Sequence, residues 1–196
     1  MILMRRIALW CVVFGGGCLP LIADDVPVPA EVQIALFQKI WKLDRTFKPG
    51  TPVELGVIYQ AKYRPSVYVA SQLLGAIRTA QLHIHCTLIV LDEQATVRQR
   101  IPSKGFDVFY VTPLSAIDVK TIADISRTNG IRTITGVPDY VADGLAVGIG
   151  LLNQRPLIIV NLRAARAEGS DFSSHLLGLS RVIEDGGRAY AGPASQ

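Results

Sequence analysis

The chain has 196 residues, of which 49% are hydrophobic and 18% charged, and its formal net charge is +4. That length allows one domain with a sizeable core, and the apolar bias excludes a disordered chain. There is no run of five like charges and no basic stripe, which argues against a nucleic-acid-binding protein.

Residues 1–23, MILMRRIALWCVVFGGGCLPLIA, read as a secretory signal peptide. Arg5 and Arg6 make a positive start, and Ile7 to Phe14 is an apolar run too short to span a bilayer of roughly 30 Å. Cleavage after Ala23 leaves Asp24 as the new first residue. A lipoprotein signal ending at Cys18 is the competing reading, and an uncleaved anchor the third; each exports the domain, which places it in the periplasm. Losing residues 1–23 removes two arginines and no acids, so the charge falls from +4 to +2. It also removes Cys11 and Cys18. Cys86 then stands alone and has no partner for an internal disulfide. A small buried hydrophobe is the reading its apolar surroundings favour.

Residues 24–30 form a Pro-broken lead-in, and a domain is expected over residues 31–184. A helix follows from Glu31 to Leu43, with Ile34, Phe37 and Trp41 on one face. Lys48 to Pro52 breaks the chain. Val53 to Tyr59 alternates as a strand. Pro65 opens a second helix, where its missing N–H costs little, with Val67, Ala70, Leu74 and Ile77 along one side. Leu82 to Leu91 is apolar on both faces near its end and predicts an interior strand. Residues 92–105 hold a short helix or only a loop.

Phe106 to Val111 is the third strand. Thr112-Pro113 predicts the start of a helix carrying Leu114, Ile117, Ile122 and Ile125, closed by Asn129-Gly130. Ile131 to Val137 is the fourth strand. The runs GLAVGIGLL and PLIIVNL, joined by Asn153-Gln154-Arg155, have hairpin spacing. A helical region then extends from Leu162 to Ile183 with a break at Gly169. Ser170 or Asp171 caps its second part, and Phe172, Leu176, Leu179 and Ile183 form its apolar side. Residues 185–196 are expected to be a mobile tail. Strands alternating with helices specify a single layered α/β domain, its sheet mixed but mostly parallel, with flanking helices and a C-terminal hairpin followed by a helix.

The segment GLAVGIG (144–150) invites a phosphate-loop reading. Such a loop needs a helix N-terminus after its glycines, and here another strand follows. The glycines instead mark a turn at Gly144 and close packing or a bulge near Gly148 and Gly150. His83 and His85 share one face of a strand, but no third metal ligand lies nearby in sequence. No nucleophile elbow is present, and Cys86 lies mid-strand without an activating neighbour. Asp118, Asp139 and Asp143 fall near strand ends, where α/β sheets bind ligands, but solvated loop acids are the reading favoured for them. No catalytic residue, metal site or cofactor is expected. Leu176 and Leu177 are adjacent and cannot both enter the same core, so one of them is available to a partner or to a second copy in a homodimer.

The order of the C-terminal pieces resembles the YfiR/HmsC-like periplasmic family. The pieces are Thr133–Asp139, Gly144–Leu151, Leu157–Asn161, Ala164-Ala165-Arg166, Gly169 and the run Ser173-Ser174-His175-Leu176-Leu177-Gly178-Leu179. Upstream, FDVFYVTPLS and VELGVIYQ are similar to the family's central and first strands. The first helix departs from the family by lacking an aromatic-Trp-Pro ending, and the disulfides of some members cannot form with one mature cysteine. The resemblance implies a non-enzymatic periplasmic regulator. Its partner would be the periplasmic domain of an inner-membrane diguanylate cyclase, which it represses by protein–protein contact. Cyclic di-GMP and biofilm or exopolysaccharide output would fall as a result. The alternative is a periplasmic small-molecule binding module.

Overall fold

A computed structural model describes residues 28–48, 50–184 and 188–189. The expected signal peptide lies outside the described residues. Of the expected tail only Arg188 and Ala189 are described, and they pair with the preceding strand.

One sheet organises the molecule, with the order β2-β1-β3-β4-β5-β6-β7-β8. Its strands are β1 (Val53–Tyr59), β2 (Ile84–Val90), β3 (Val108–Val111), β4 (Arg132–Thr135), β5 (Val147–Leu152), β6 (Arg155–Asn161), β7 (Ser180–Glu184) and the two-residue β8 (Arg188–Ala189). The first five run parallel, β6 turns back antiparallel to β5, β7 runs parallel to β6, and β8 reverses again. The sheet is therefore mixed and mostly parallel, as the alternation of elements predicts.

Because side chains alternate across a strand, two cores form on opposite faces. Leu55 and Val57 of β1 and Val108 and Tyr110 of β3 enter the first, beneath α1 (Ala30–Lys42) and α2 (Arg64–Thr79). Ile58, Phe109 and Val111 enter the second, with α3 (Val97–Arg100) and α4 (Val119–Asn129). Phe37 and Tyr110, both fully buried, pack ring to ring at 5.8 Å in the first core. Burying an aromatic ring of this size stabilises by roughly 2–3 kcal/mol.

The sequence periodicities of α1, β1 and the hairpin carry directly into the fold. Asn153 and Gln154, both with positive φ, form the two-residue turn between β5 and β6. Gly130, at φ 64°, ends α4 where its left-handed conformation is needed.

Five expectations are corrected. β2 is an edge strand, with Leu88 46% exposed, because α2 carries the chain outward from β1 and β3 then takes β1's other side. The helix expected at Thr112-Pro113 begins only at Val119, capped by Asp118, which accepts a hydrogen bond from Lys120 N. Thr112 is instead buried, donating to Ile58 O. In α2 the buried face is Ser66, Ala70, Leu73, Ala76 and Ile77, and Val67 is exposed, since the Ser66 hydroxyl bonds Thr112 and sets the helix rotation. The region 162–183 is not all helix: α6 (Leu162–Ala167) and α7 (Ser174–Gly178) are followed by β7, which pairs with β6 through Ile158 to Asn161. The cap of α7 is Ser173, accepting from Leu176 N, rather than Ser170 or Asp171.

Candidate functional site

Ligands of open α/β sheets sit beyond the carboxyl ends of the strands, at the point where strand order reverses. Here that point lies between β1 and β3, and it is closed by its own hydrogen bonds. Ser66 Oγ and Thr112 Oγ1 are 2.6 Å apart, and Gln60 N donates to Ser66 Oγ at 2.8 Å. Gln60 Oε1 accepts from Ser115 N. These buried groups satisfy one another and offer nothing to a ligand.

The open space is displaced along the sheet. A cavity of about 460 Å³ lies past β4, walled by Pro65, Tyr68 and Val69 of α2 and by the segment Gly136–Asp139. The β5–β6 hairpin contributes Gly150, Leu151 and Leu157, and β7 contributes Arg181. Behind Gly136, Tyr110 donates to Gln33 Oε1 at 2.9 Å, while Gln33 Nε2 donates to Val28 O. A Cβ at Gly136 would come within 2.9 Å of both Gln33 and Tyr110. Burial pushes the Tyr110 hydroxyl well above the usual phenol range, so it acts only as a neutral donor.

The glycines of GLAVGIG find their reason beside this cavity. α5 (Asp139–Ala142) lies directly on β5. A Cβ at Gly148 would run into Val141 Cγ2, and one at Gly150 would lie 2.7 Å from Pro138 Cγ. Close packing, rather than a bulge or a phosphate, requires them. Asn161 continues the arrangement: its Nδ2 donates to Val141 O and its Oδ1 caps α6 through Ala164 N.

Of the acids flagged by sequence, Asp139 lines the cavity and Asp118 caps α4. Asp143 lies at the end of α5. His85 is exposed and its Nδ1 lies 2.8 Å from Glu54 Oε1, and His83 is exposed just before β2. Among the described residues no group of three or more His, Cys, Asp or Glu converges in a way that could hold a metal. Burial raises the Cys86 thiol, the opposite of the shift that activates a nucleophilic cysteine.

Leu176 and Leu177 part company as adjacent helical residues must. Leu176 is buried in the first core and Leu177 is half-buried against it. The most exposed apolar side chain of this segment is Leu179, at 61%. It borders a second cavity, of about 500 Å³, between α1, β6 and α7.

Sequence reasoning missed two buried acids. Asp44, just past α1, accepts hydrogen bonds at Oδ1 from Thr46 N, Thr46 Oγ1 and Asp171 N, and at Oδ2 from Arg132 Nε at 3.2 Å. Burial works to raise its carboxyl, but the hydrogen bonds from Thr46 and Asp171 outweigh it and hold the group below the usual range. Glu168, fully buried at the end of α6, accepts from Thr133 N and Thr133 Oγ1. Loss of solvation pushes it up to about 8 despite those bonds and the Arg127 and Arg132 charges. Both acids hold the termini of helices against β4. The signal for each was a lone acid directly after a helix, which is not distinctive.

Comparison with solved structures finds the same fold in proteins of low sequence identity. A conserved domain protein from Vibrio cholerae O1 biovar El Tor superposes with a TM-score of 0.62 at 14% identity, over 81% of this chain and 60% of that one. An ABC domain from Streptococcus pneumoniae, solved in complex with L-Trp, gives 0.63 at 11% identity, over 79% and 62%. A substrate-binding protein with adhesive properties from Clostridium difficile, in its ligand-free open form, gives 0.61 at 16%, over 82% and 61%. The matched region thus spans about three-fifths of each of these chains. Among curated proteins none matches. No described helix is long and apolar enough to cross a membrane. The sequence of residues 61–181 matches the family described as YfiR/HmsC-like, from β1's end to β7, and the chain belongs to that family of periplasmic regulators.

Proposed function

We propose that this protein is exported by its N-terminal signal and restrains a membrane-anchored diguanylate cyclase by contacting that enzyme's periplasmic domain. The observation that carries this reading is the family match over residues 61–181. The physical requirement is modest. A regulator that binds the cyclase's inactive state about tenfold more tightly than its active state shifts the balance by roughly 1.4 kcal/mol, and the sign of that difference makes it a repressor. Lower cyclic di-GMP then reduces exopolysaccharide and biofilm. The regulator works through surface complementarity and performs no chemistry of its own.

The test is intracellular cyclic di-GMP in the host cell with the gene deleted and then restored. A rise on deletion that is reversed on restoration is the expected result. An unchanged level while the protein is being made would remove the cyclase reading.

The 460 Å³ cavity favours a second reading, a small-molecule binding module. Its lining is mostly apolar, and Asp139 and Arg181 contribute opposite charges to it. L-Trp, bound by one structural neighbour, is a suitable first probe. Binding would raise the melting temperature in proportion to the logarithm of ligand concentration, and Arg181→Ala would abolish the rise. A melting temperature unmoved by millimolar L-Trp would count against this probe.

A further inference from the structure

Two apolar grooves flank the C-terminal half of α1. One, of about 500 Å³, is walled by Leu36 of α1, Leu43 just past it, Pro156 and Ile158 of β6, and Leu179. The other, of about 210 Å³, lies on the opposite flank against Trp41 and Phe47, whose rings stack at 5.6 Å. Among the described residues no carboxylate lines either groove: Lys39, Lys42 and His175 border the first, and Lys42 and Lys48 the second.

The acids nearby are already engaged. Asp44 is held by Arg132, and Asp171 by Arg45. Lys39, Lys42 and Lys48 take part in none of the ion pairs among the described residues. Lys39 and Lys42 lie in the last turn of α1, where positive charge complements the helix dipole. Lys48 lies beyond the helix and has no such role. A positive ridge between two apolar grooves matches one kind of occupant: an extended or helical segment with apolar anchors and carboxylates beside them.

We infer that this face docks an acidic, apolar segment of a partner protein, with its carboxylates on Lys39 and Lys42 and its apolar side chains beside Leu179. The inference rests on the reading that the protein works by partner contact, and it adds where that contact is made and with what chemistry. Leu176 lines the larger groove, while half-buried Leu177 packs against the first core.

The test uses the full chain in its host cell, carrying the photoreactive residue p-benzoylphenylalanine in place of Leu179, with the same residue in place of Thr87 on β2 as a control. The expected adduct from position 179 is a segment of another protein with at least two Asp or Glu flanking apolar residues. Its yield should fall about tenfold with Lys39→Glu/Lys42→Glu, and in isolated envelopes of the unmodified-lysine chain it should fall as salt is raised. The neutral pair Lys39→Gln/Lys42→Gln, which keeps the surface polar, should give an intermediate yield. Melting temperatures equal to that of the wild type certify the folds. An adduct with a second copy of this chain, an adduct with phospholipid, a partner segment indifferent to charge reversal, or no adduct at position 179 would each overturn the inference. The two readings fail separately. An acidic segment from a protein that is not a cyclase keeps the groove and removes the cyclase. A cyclic di-GMP rise on deletion without a charge-dependent adduct keeps the regulator and removes the groove.

Discussion

At the scale of single residues, Asp44 and Glu168 pull the pH dependence of stability in opposite directions. The Asp44 carboxyl is held below its unfolded value of 3.8. Its contribution is therefore complete above that value and is lost as pH falls through the lower folded pKa. Glu168 is pushed up from 4.5 to about 8. The folded chain keeps this proton while the unfolded chain releases it, so the Glu168 contribution is greatest below about 4.5 and declines as pH rises toward about 8. The melting temperature should accordingly fall between pH 5 and pH 8. Glu168→Gln retains an acceptor for Thr133 N and replaces the ionisable oxygen with a donor toward Thr133 Oγ1. Thermal melts of this variant should be nearly flat across that range. A slope equal to that of the wild type would show that another group carries the dependence.

At the scale of elements, the β5–β6 hairpin has suboptimal turn chemistry. A two-residue turn of this hand wants glycine at its second position, and Gln154 occupies it at φ 62°. An L side chain there costs roughly 1 kcal/mol, and the added freedom of glycine in the unfolded chain recovers part of that against the fold. Gln154→Gly should still stabilise by about 0.5–1 kcal/mol, measured as a shift in the urea midpoint without a change in slope. Gly148→Ala should do the reverse, because its Cβ meets Val141 and would lift α5 from the sheet. A loss of roughly 1–3 kcal/mol is expected in the same measurement, as for overpacking generally. Both substitutions border the 460 Å³ cavity or its hairpin, so ligand binding offers a second readout of the same packing.

At the scale of the whole molecule, both cores share one sheet, and every strand of β1 to β7 is paired on at least one side. Neither layer of helices can leave without exposing an apolar sheet face, so unfolding should be one cooperative step. After removal of residues 1–23, Trp41 is the single tryptophan. It sits on α1 with Phe37 and Phe47 and reports the first layer alone. Far-ultraviolet circular dichroism reports all the helices and strands. The two denaturation curves should superimpose, and a Trp41 transition at lower urea would mean that the α1 layer, with its grooves, opens on its own.

What the sequence determined by itself is whatever depends on neighbours along the chain. The apolar spacing of α1, the alternation of β1, the Asn-Gly stop of α4 and the hairpin after Leu152 are local signals, and each reappears in the fold. The ordered set of C-terminal pieces was also legible, and it sufficed to identify the family. The position of a strand in the sheet is not a local property. The run LHIHCTLIV has the apolar content of an interior strand, yet the crossover through α2 leaves β2 at the edge. Ser180 to Ile183 continue a helical periodicity, but β6 offers them a free parallel partner, and ladder hydrogen bonds outweigh weak helix propensity. The rotation of α2 was decided by a serine that meets Thr112 from 46 residues away. The roles of Asp44 and Glu168, the 460 Å³ cavity and the lysine ridge between two grooves arise in the same way. Each is made by side chains from elements far apart in sequence, so only the tertiary structure could decide them.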